Sequence, residues 1–207
     1  MVNPTDPIYR KDIQFRTPRL LIRSVCDADV KQLHIIRSDP KNNNELNAIQ
    51  APNMDEAALK NGIPISIQQK CNQLLIIKDP PVFPPGPNRP NDLLLDWPGG
   101  LLIGSIEIGW PRDGFEESDI GGYIHHRFTR NGYAKEAFAA VFDYALGDLQ
   151  RPVVYLETME VNAGFRGMMK SLGLEALEKH VHLGKPGVTY SFGKARWEQA
   201  KMETGRS

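Results

Sequence analysis

The chain has 207 residues, of which 41% are apolar and 24% charged. That is enough to build a packed core within one domain, and it excludes global disorder. Twenty-five Lys and Arg balance twenty-five Asp and Glu, for a formal net charge of zero. A general nucleic-acid or anionic-membrane binder is therefore not expected, and an anionic ligand must be held by local groups. Cys26 and Cys71 stand far apart. They offer neither metal-ligand spacing nor a disulfide framework and read as two buried thiols in a reducing compartment, with no metal expected. No apolar run approaches the roughly 20 residues of a membrane span. The polar start, Met1–Pro7, lacks a signal-peptide core, so a soluble, cytoplasmic protein is expected.

Residues 1–14 read as an extended arm, residues 15–198 as the folded domain and residues 199–207 as a charged tail. Phe15 is a possible anchor for the arm. Leu20–Val25 predicts a strand, and Asp27 is placed to cap a helix that carries Val30, Leu33 and Ile36 and ends near Asp39-Pro40. Residues 41–53 read as loop and Met54–Lys60 as a short helix with acids at its positive end. Ile65–Asn72 is open between helix and coil, and Gln73–Lys78 predicts a strand. Residues 79–99 hold seven prolines, which bars helix and inner strand alike. They read as an exposed insertion: a spacer, or else a substrate-side flap or a partner contact. Leu101–Trp110 and Ile120–His125 predict strands joined by a turn over Pro111–Glu117. Ala134, Ala137, Phe138, Val141, Phe142 and Ala145 recur at helical spacing. Val153–Met159 predicts a strand, Asn162 caps a helix that Gly173 ends, and strands over Glu175–Leu183 and Val188–Lys194 form a hairpin. From Ala195 the tail is expected to be loose beyond a pin at Trp197. The order predicts a single-domain α/β or α+β fold on a mixed, mostly antiparallel sheet.

The stretch that bears chemistry is Gly121–Ala137, where a strand passes through a short basic loop into a helix near Gly132. The first turn of such a helix has amides without intrahelical acceptors, at the positive end of the macrodipole. Gly132 and Ala134 leave a ligand room to reach them, and Arg127, Arg130 and Lys135 add charge. This is an anion cradle suited to a pyrophosphate, or else an ordinary turn. No Gly-Lys-Ser/Thr closes it as a Walker loop, and the three glycines of a dinucleotide fingerprint are not in place.

The run Thr129-Arg130-Asn131-Gly132-Tyr133-Ala134 resembles the coenzyme signature Gln/Arg-x-x-Gly-x-Gly/Ala of the GNAT N-acetyltransferase superfamily. It departs at Thr129, where the pattern has Gln or Arg. Gly132–Ala137, Phe15–Arg23, the Asn162 to Gly173 spacing and the closing Tyr190–Phe192 with Ala195–Glu198 resemble the branch that acetylates ribosomal-protein N-termini. Leu174 stands where that branch has Phe. The resemblance implies a splayed central strand pair flanked by helices, with acetyl-CoA as cosubstrate. Its pantetheine would lie along the main chain of Tyr123, Ile124 and His125, and its pyrophosphate on the amides of Arg130, Asn131, Gly132, Tyr133 and Ala134, beside Thr129. Asn162 would bond a pantetheine amide or only cap its helix. Phe165 occupies the place where relatives have a hydroxyl near the sulfur.

The acceptor implied is a small-molecule or peptide amine, attacked directly in a ternary complex by a monomer or homodimer. Glu107 is the first candidate base, set against a reading as a solvent-facing strand residue; Glu157 and Glu160 are the second, and Asp119 is the third. The main chain near Tyr123 or Ile124 would hold the thioester oxygen, and either the hydroxyl of Tyr123 or Tyr190 would stand in for the missing acid or the thiolate would leave unassisted. The rival reading is an acyl-CoA-binding sensor or interaction module without catalysis.

Overall fold

The computed structural model describes residues 13–26, 29–39, 41–42, 70–77, 101–111, 117–182 and 184–206. The expected arm before residue 13, the Asp27 cap, the loop and short helix of residues 43–60, the 79–99 insertion and residues 112–116 of the turn lie outside them. Eight strands form one sheet in the order β1-β2-β3-β4-β5-β6-β8-β7. They are β1 Gln14–Arg16, β2 Leu20–Ser24, β3 Lys70–Ile77, β4 Leu101–Pro111, β5 Glu117–Ile124, β6 Val153–Met159, β7 Lys179–His182 and β8 Pro186–Phe192. Every pairing is antiparallel except β5 with β6. The helices are α1 Val30–Ser38, α2 Tyr133–Asp143, α3 Ala163–Ser171 and α4 Lys194–Glu203. The mixed, mostly antiparallel single-domain sheet expected from the sequence is the observed fold.

Several local expectations shift. Strand β3 starts at Lys70, inside the stretch left open between helix and coil, because it pairs with β4 from Lys70↔Gly109 onward. Helix α1 starts after Asp29, whose side chain makes no cap bond. Its carboxylate instead takes both Arg23 Nη1 and Nη2 at 2.7 Å and the Cys26 amide at 2.7 Å. This ties β2 to the start of α1 through a fully buried acid. Cys26 itself is exposed, not buried. Residues Glu175–Leu177 form a 3₁₀ turn, so β7 begins only at Lys179.

The C-terminal segment is helix rather than loose tail. Trp197 is 1% exposed, meets Phe142 edge-on at 5.3 Å and donates its indole N–H to Asp143 at 2.7 Å. An aromatic buried with its polar atom satisfied fixes α4 against α2. Phe15 stacks on Tyr144 at 5.2 Å, which anchors β1 to the π turn Tyr144–Asp148 beyond α2.

The sheet is continuous, but its centre is not parallel throughout. Strands β5 and β6 pair only over Glu117–Asp119 with Val153–Tyr155. From Ile120 onward β5 keeps only β4, and β6 from Leu156 to Met159 keeps only β8. The two strands diverge into a gap roofed by α2 and α3.

Close backbone approach holds β4 against β5 beside this gap. A Cβ built on Gly104 would lie 2.2 Å from the Tyr123 carbonyl oxygen. Gly104→Ala should therefore destabilise the fold by about 1–3 kcal/mol, since main chain rather than a flexible side chain must move. Thermal unfolding followed by circular dichroism checks this.

Candidate functional site

A cleft of about 560 Å³ fills the gap. Its walls come from β5 (Gly122, Tyr123, Ile124), the following loop (Phe128, Thr129, Arg130), the first turns of α2 (Gly132 to Lys135, then Phe138) and α3 with its cap (Asn162 to Phe165, then Gly167, Met168 and Ser171). Of the residues singled out from the sequence, Tyr123, Ile124, Thr129, Arg130, Gly132, Tyr133, Ala134, Asn162 and Phe165 meet here.

The loop's conformation follows from two left-handed residues, Arg130 at φ 65° and Gly132 at φ 78°. Glycine takes such a φ freely, whereas for Arg130 it costs on the order of 1 kcal/mol. Left-handed residues alternating with ordinary ones turn successive amides toward one side, which makes an anion-binding concavity. The first intrahelical donor of α2 is the Glu136 amide, to Gly132 O at 3.0 Å. The amides ahead of it, from Arg130 to Ala134, have no acceptor among the described residues. They sit at the positive end of α2, in the arrangement that favours a bound phosphate.

Two of the expected coenzyme residues, His125 and Asn131, are not on the cleft wall. His125 is 2% exposed and absent from the cleft wall, and its amide donates to Ile103 O at 2.7 Å. It is therefore not part of a free edge. Antiparallel alternation then puts the main chain of Tyr123 on the β4 side as well and turns that of Gly122 and Ile124 toward the gap. The Asn131 side chain also misses the cleft and braces the loop, donating to Thr129 O at 2.9 Å.

The imidazoles of His125 and His126 approach Asp39 Oδ2 at 3.4 and 3.0 Å. His125 Nδ1 receives the Arg127 amide, so its proton lies on Nε2 and points at the carboxylate. An imidazole that binds a metal donates from its second nitrogen instead of accepting there. The trio is a clasp between the end of α1 and the loop, and burial that would raise the Asp39 carboxyl is outweighed by the Lys41 amide and the His126 bond.

The acid–base candidates are distributed unequally. Tyr123 lines the cleft, but Glu107 and Glu157 do not. The register Glu107↔Gly121 and Asp119↔Tyr155 places Glu107, Asp119, Gly121, Tyr123, Tyr155 and Glu157 on one face of the sheet. Glu157 is exposed there and accepts from the Tyr155 hydroxyl at 3.0 Å. A Cβ on Gly121, directly opposite Glu107, would meet nothing within 4 Å among the described residues.

Tyr190 is not on the cleft wall: it is 1% exposed, its hydroxyl donates to Glu178, and burial followed by that bond raises its pKa. Glu178 is in turn gripped by Arg166 at 3.0 and 2.7 Å, and these bonds hold its carboxyl below the usual range. Asn162 caps α3, its Oδ1 accepting from the Phe165 amide at 3.1 Å and its Nδ2 donating to Thr158 at 2.9 Å. Phe165 meets Phe138 edge-on at 5.8 Å and makes an apolar end to the cleft.

Residues 19–175 match the family model described as an acetyltransferase (GNAT) domain. The chain belongs to the GNAT acetyltransferase family. Acyl transfer is the activity of this GNAT protein, and the family's cosubstrate is an acyl-CoA. No curated protein sequence matches the chain. Among solved structures it is similar to Mycobacterium smegmatis RimJ in complex with CoA-disulfide, with TM-score 0.65, 13% identity and 90% of each chain covered. It is also similar to FdhC, a nucleotide-linked sugar GNAT, with TM-score 0.67, 13% identity and 94% of this chain and 98% of that chain covered. A third is a spermidine N-acetyltransferase SpeG chimera from Vibrio cholerae and hSSAT, with TM-score 0.65, 13% identity and 86% and 98% covered. These likenesses show the fold of the GNAT chain and leave its acceptor open. Among the described residues, no helix is long and apolar enough to cross a membrane.

Sequence reading missed the role of Arg19. Its Nη1 donates to Asn131 O at 2.9 Å, and its Nε meets Glu136 at 2.6 Å. Nothing in the sequence spacing links residue 19 to residues 131 and 136.

Replacing Gly132 by Val puts a β-branched residue at φ 78° and should weaken coenzyme A binding at least ~10-fold. Isothermal calorimetry measures it, with far-UV circular dichroism to check that the helices remain. A second expectation concerns acid. A carboxyl held low in the folded state stabilises above its unfolded pKa of about 4.3, and that stability is lost as pH falls through the depressed value. Glu178→Gln should therefore flatten the decline in denaturation midpoint below about pH 4, relative to the parent protein.

Proposed function

We propose that this protein transfers an acetyl group from acetyl-CoA to a primary amine by direct attack in a ternary complex. The observation that supports this best is the conjunction of an unsatisfied amide cradle with a cleft along the edge of β5 that has parted from β6. In this reading the pyrophosphate accepts from the amides of Arg130 to Ala134, with Thr129 beside it. The pantetheine runs along β5 as an added pseudo-strand, bonding the outward main chain of Gly122 and Ile124. Asn162 shapes the mouth of α3 through its cap, and Phe165 packs near the sulfur.

The thioester carbon then lies beside the free edge of β5, past the point where β5 leaves β6. The Ile124 amide is the donor we assign to the carbonyl oxygen as negative charge develops on it. Glu107 takes the proton of the amine through a water in the space opposite Gly121, with Glu157 as the second choice. The nitrogen lone pair attacks the carbonyl carbon, the C–S bond breaks, and the thiolate carries the electron pair away. No side-chain acid is required, because a thiol of moderate pKa is an adequate leaving group; the cleft offers Phe165 where a hydroxyl would donate. Placing amine and thioester together supplies much of the rate. The acceptor is a small-molecule or peptide amine, in keeping with the spermidine acetyltransferase among the structural relatives.

The rival reading, a coenzyme sensor without catalysis, is favoured by one observation: neither Glu107 nor Glu157 reaches the cleft wall. Thiol release from acetyl-CoA with a panel of amines separates the two. Coenzyme A at ~100 times its Kd should stabilise the fold by about 2.7 kcal/mol under either reading. Only the enzyme should release thiol in proportion to added amine. Glu107→Gln is expected to lower kcat about 100-fold at neutral pH while sparing coenzyme affinity. An unchanged pH–rate profile would remove Glu107 as the base.

A further inference from the structure

The turn between β1 and β2 reaches the coenzyme cradle and its helix through two side chains, Thr17 and Arg19, of which Arg19 alone is bonded to the cradle's main chain among the described residues. Its guanidinium makes three contacts with the cradle and its helix. Nη1 donates to the Asn131 carbonyl at 2.9 Å, Nε donates to Glu136 Oε2 at 2.6 Å, and the group stacks over the Tyr133 ring at 4.5 Å. The turn's main chain reinforces the second contact. The Arg19 amide and the Thr17 hydroxyl both donate to Glu136 Oε1, at 3.0 and 2.5 Å. Nη2 lies 3.4 Å from where a Cβ on Gly132 would stand.

These contacts bracket the strained segment. Asn131 sits between the two left-handed residues, Arg130 and Gly132, and its carbonyl is the group Arg19 holds. A peptide flip there would redirect the neighbouring amides and dissolve the concavity. A left-handed Arg130 persists only where its surroundings over-determine it. Arg19 and Asn131's own bond to Thr129 are the described interactions that do so. An arginine suits the task, because its fork reaches a carbonyl and a carboxylate at once while its plane stacks on an aromatic ring.

We propose that Arg19 is a positioning residue for the coenzyme-phosphate site, holding residues 130–132 in the conformation that presents their amides. The proposal rests on the acyl-CoA reading above. It makes the first hairpin of the chain part of the cosubstrate site, although that hairpin is more than a hundred residues away in sequence.

The test compares acetyl-CoA with S-acetylpantetheine, which carries the same thioester and no phosphates. Arg19→Ala should raise the Kd for coenzyme A and the KM for acetyl-CoA together, by roughly 10-fold or more, the range for a lost hydrogen bond to a charged group. The KM for the amine and kcat/KM with S-acetylpantetheine should stay at parental values. Arg19→Lys keeps the charge but not the fork and should recover only part of the loss. Coenzyme affinity unchanged in Arg19→Ala overturns the inference, as does an equal loss with both thioesters. If Arg19→Ala fails to fold, Arg19→Lys and Arg19→Gln bear the same comparison. A parental protein that binds no coenzyme A would instead remove the proposed function itself.

Discussion

The divergence of β5 from β6 is the constraint on which the rest of the molecule depends. Two parallel strands that pair for three residues and then part leave main-chain groups on a strand edge inside the fold. Such groups must find partners, and an extended ligand bearing amides can supply them. The same divergence leaves the edge of β5 open along the cleft lined by α2 and α3. A sheet fully paired at this point would have no such free edge.

Packing fixes the elements on both sides of the gap. Phe138 of α2 meets Phe165 of α3 across the top, and Tyr190 of β8 lies against Phe165 from below. On the far side, Gly104 lets β4 approach the Tyr123 carbonyl closely, and the His125 amide is fixed to Ile103. The loop that follows is then stapled twice. The clasp of Asp39 with His125 and His126 holds its beginning, and Arg19 with Glu136 holds its end. A strained, amide-rich loop is stable here because both flanks are anchored to elements already in place. In Glu136, burial that would raise the carboxyl is outweighed by the bonds from Thr17 and Arg19, so the anchor is ionised at neutral pH.

Division of labour between the two sheet faces follows from the register. The apolar face under α2 holds Ile106, Ile108 and Ile120, all buried. The opposite face carries Glu107, Asp119, Tyr155 and Glu157 near the parting of the strands. In the proposed reaction the candidate base Glu107 therefore stands on the face opposite the buried isoleucines.

Much of this was legible from residue order alone. The strand β6 was read to its ends, because a run of β-branched and aromatic residues bounded by turn formers has few alternatives. The cradle was located because Gly132 and Ala134 at a strand-to-helix junction state where a helix starts and where a side chain would obstruct a ligand. The Asn162 cap and the Gly173 stop are likewise local, set by bonds within one turn. Non-local features were not legible. Alternating residue type along β5 does not say which amides face β4, so His125 looked like an edge residue until its partner Ile103 was known. The charged segment from Ala195 reads as loose by composition, and it is Phe142, Phe192 and Asp143 that seat it as a helix by receiving Trp197. Sequence by itself determined which backbone conformations were possible, because those are governed by neighbours along the chain. Tertiary structure decided which donors remained unsatisfied and which distant side chain, Arg19, restrains them, because partners across a sheet are brought together only by folding.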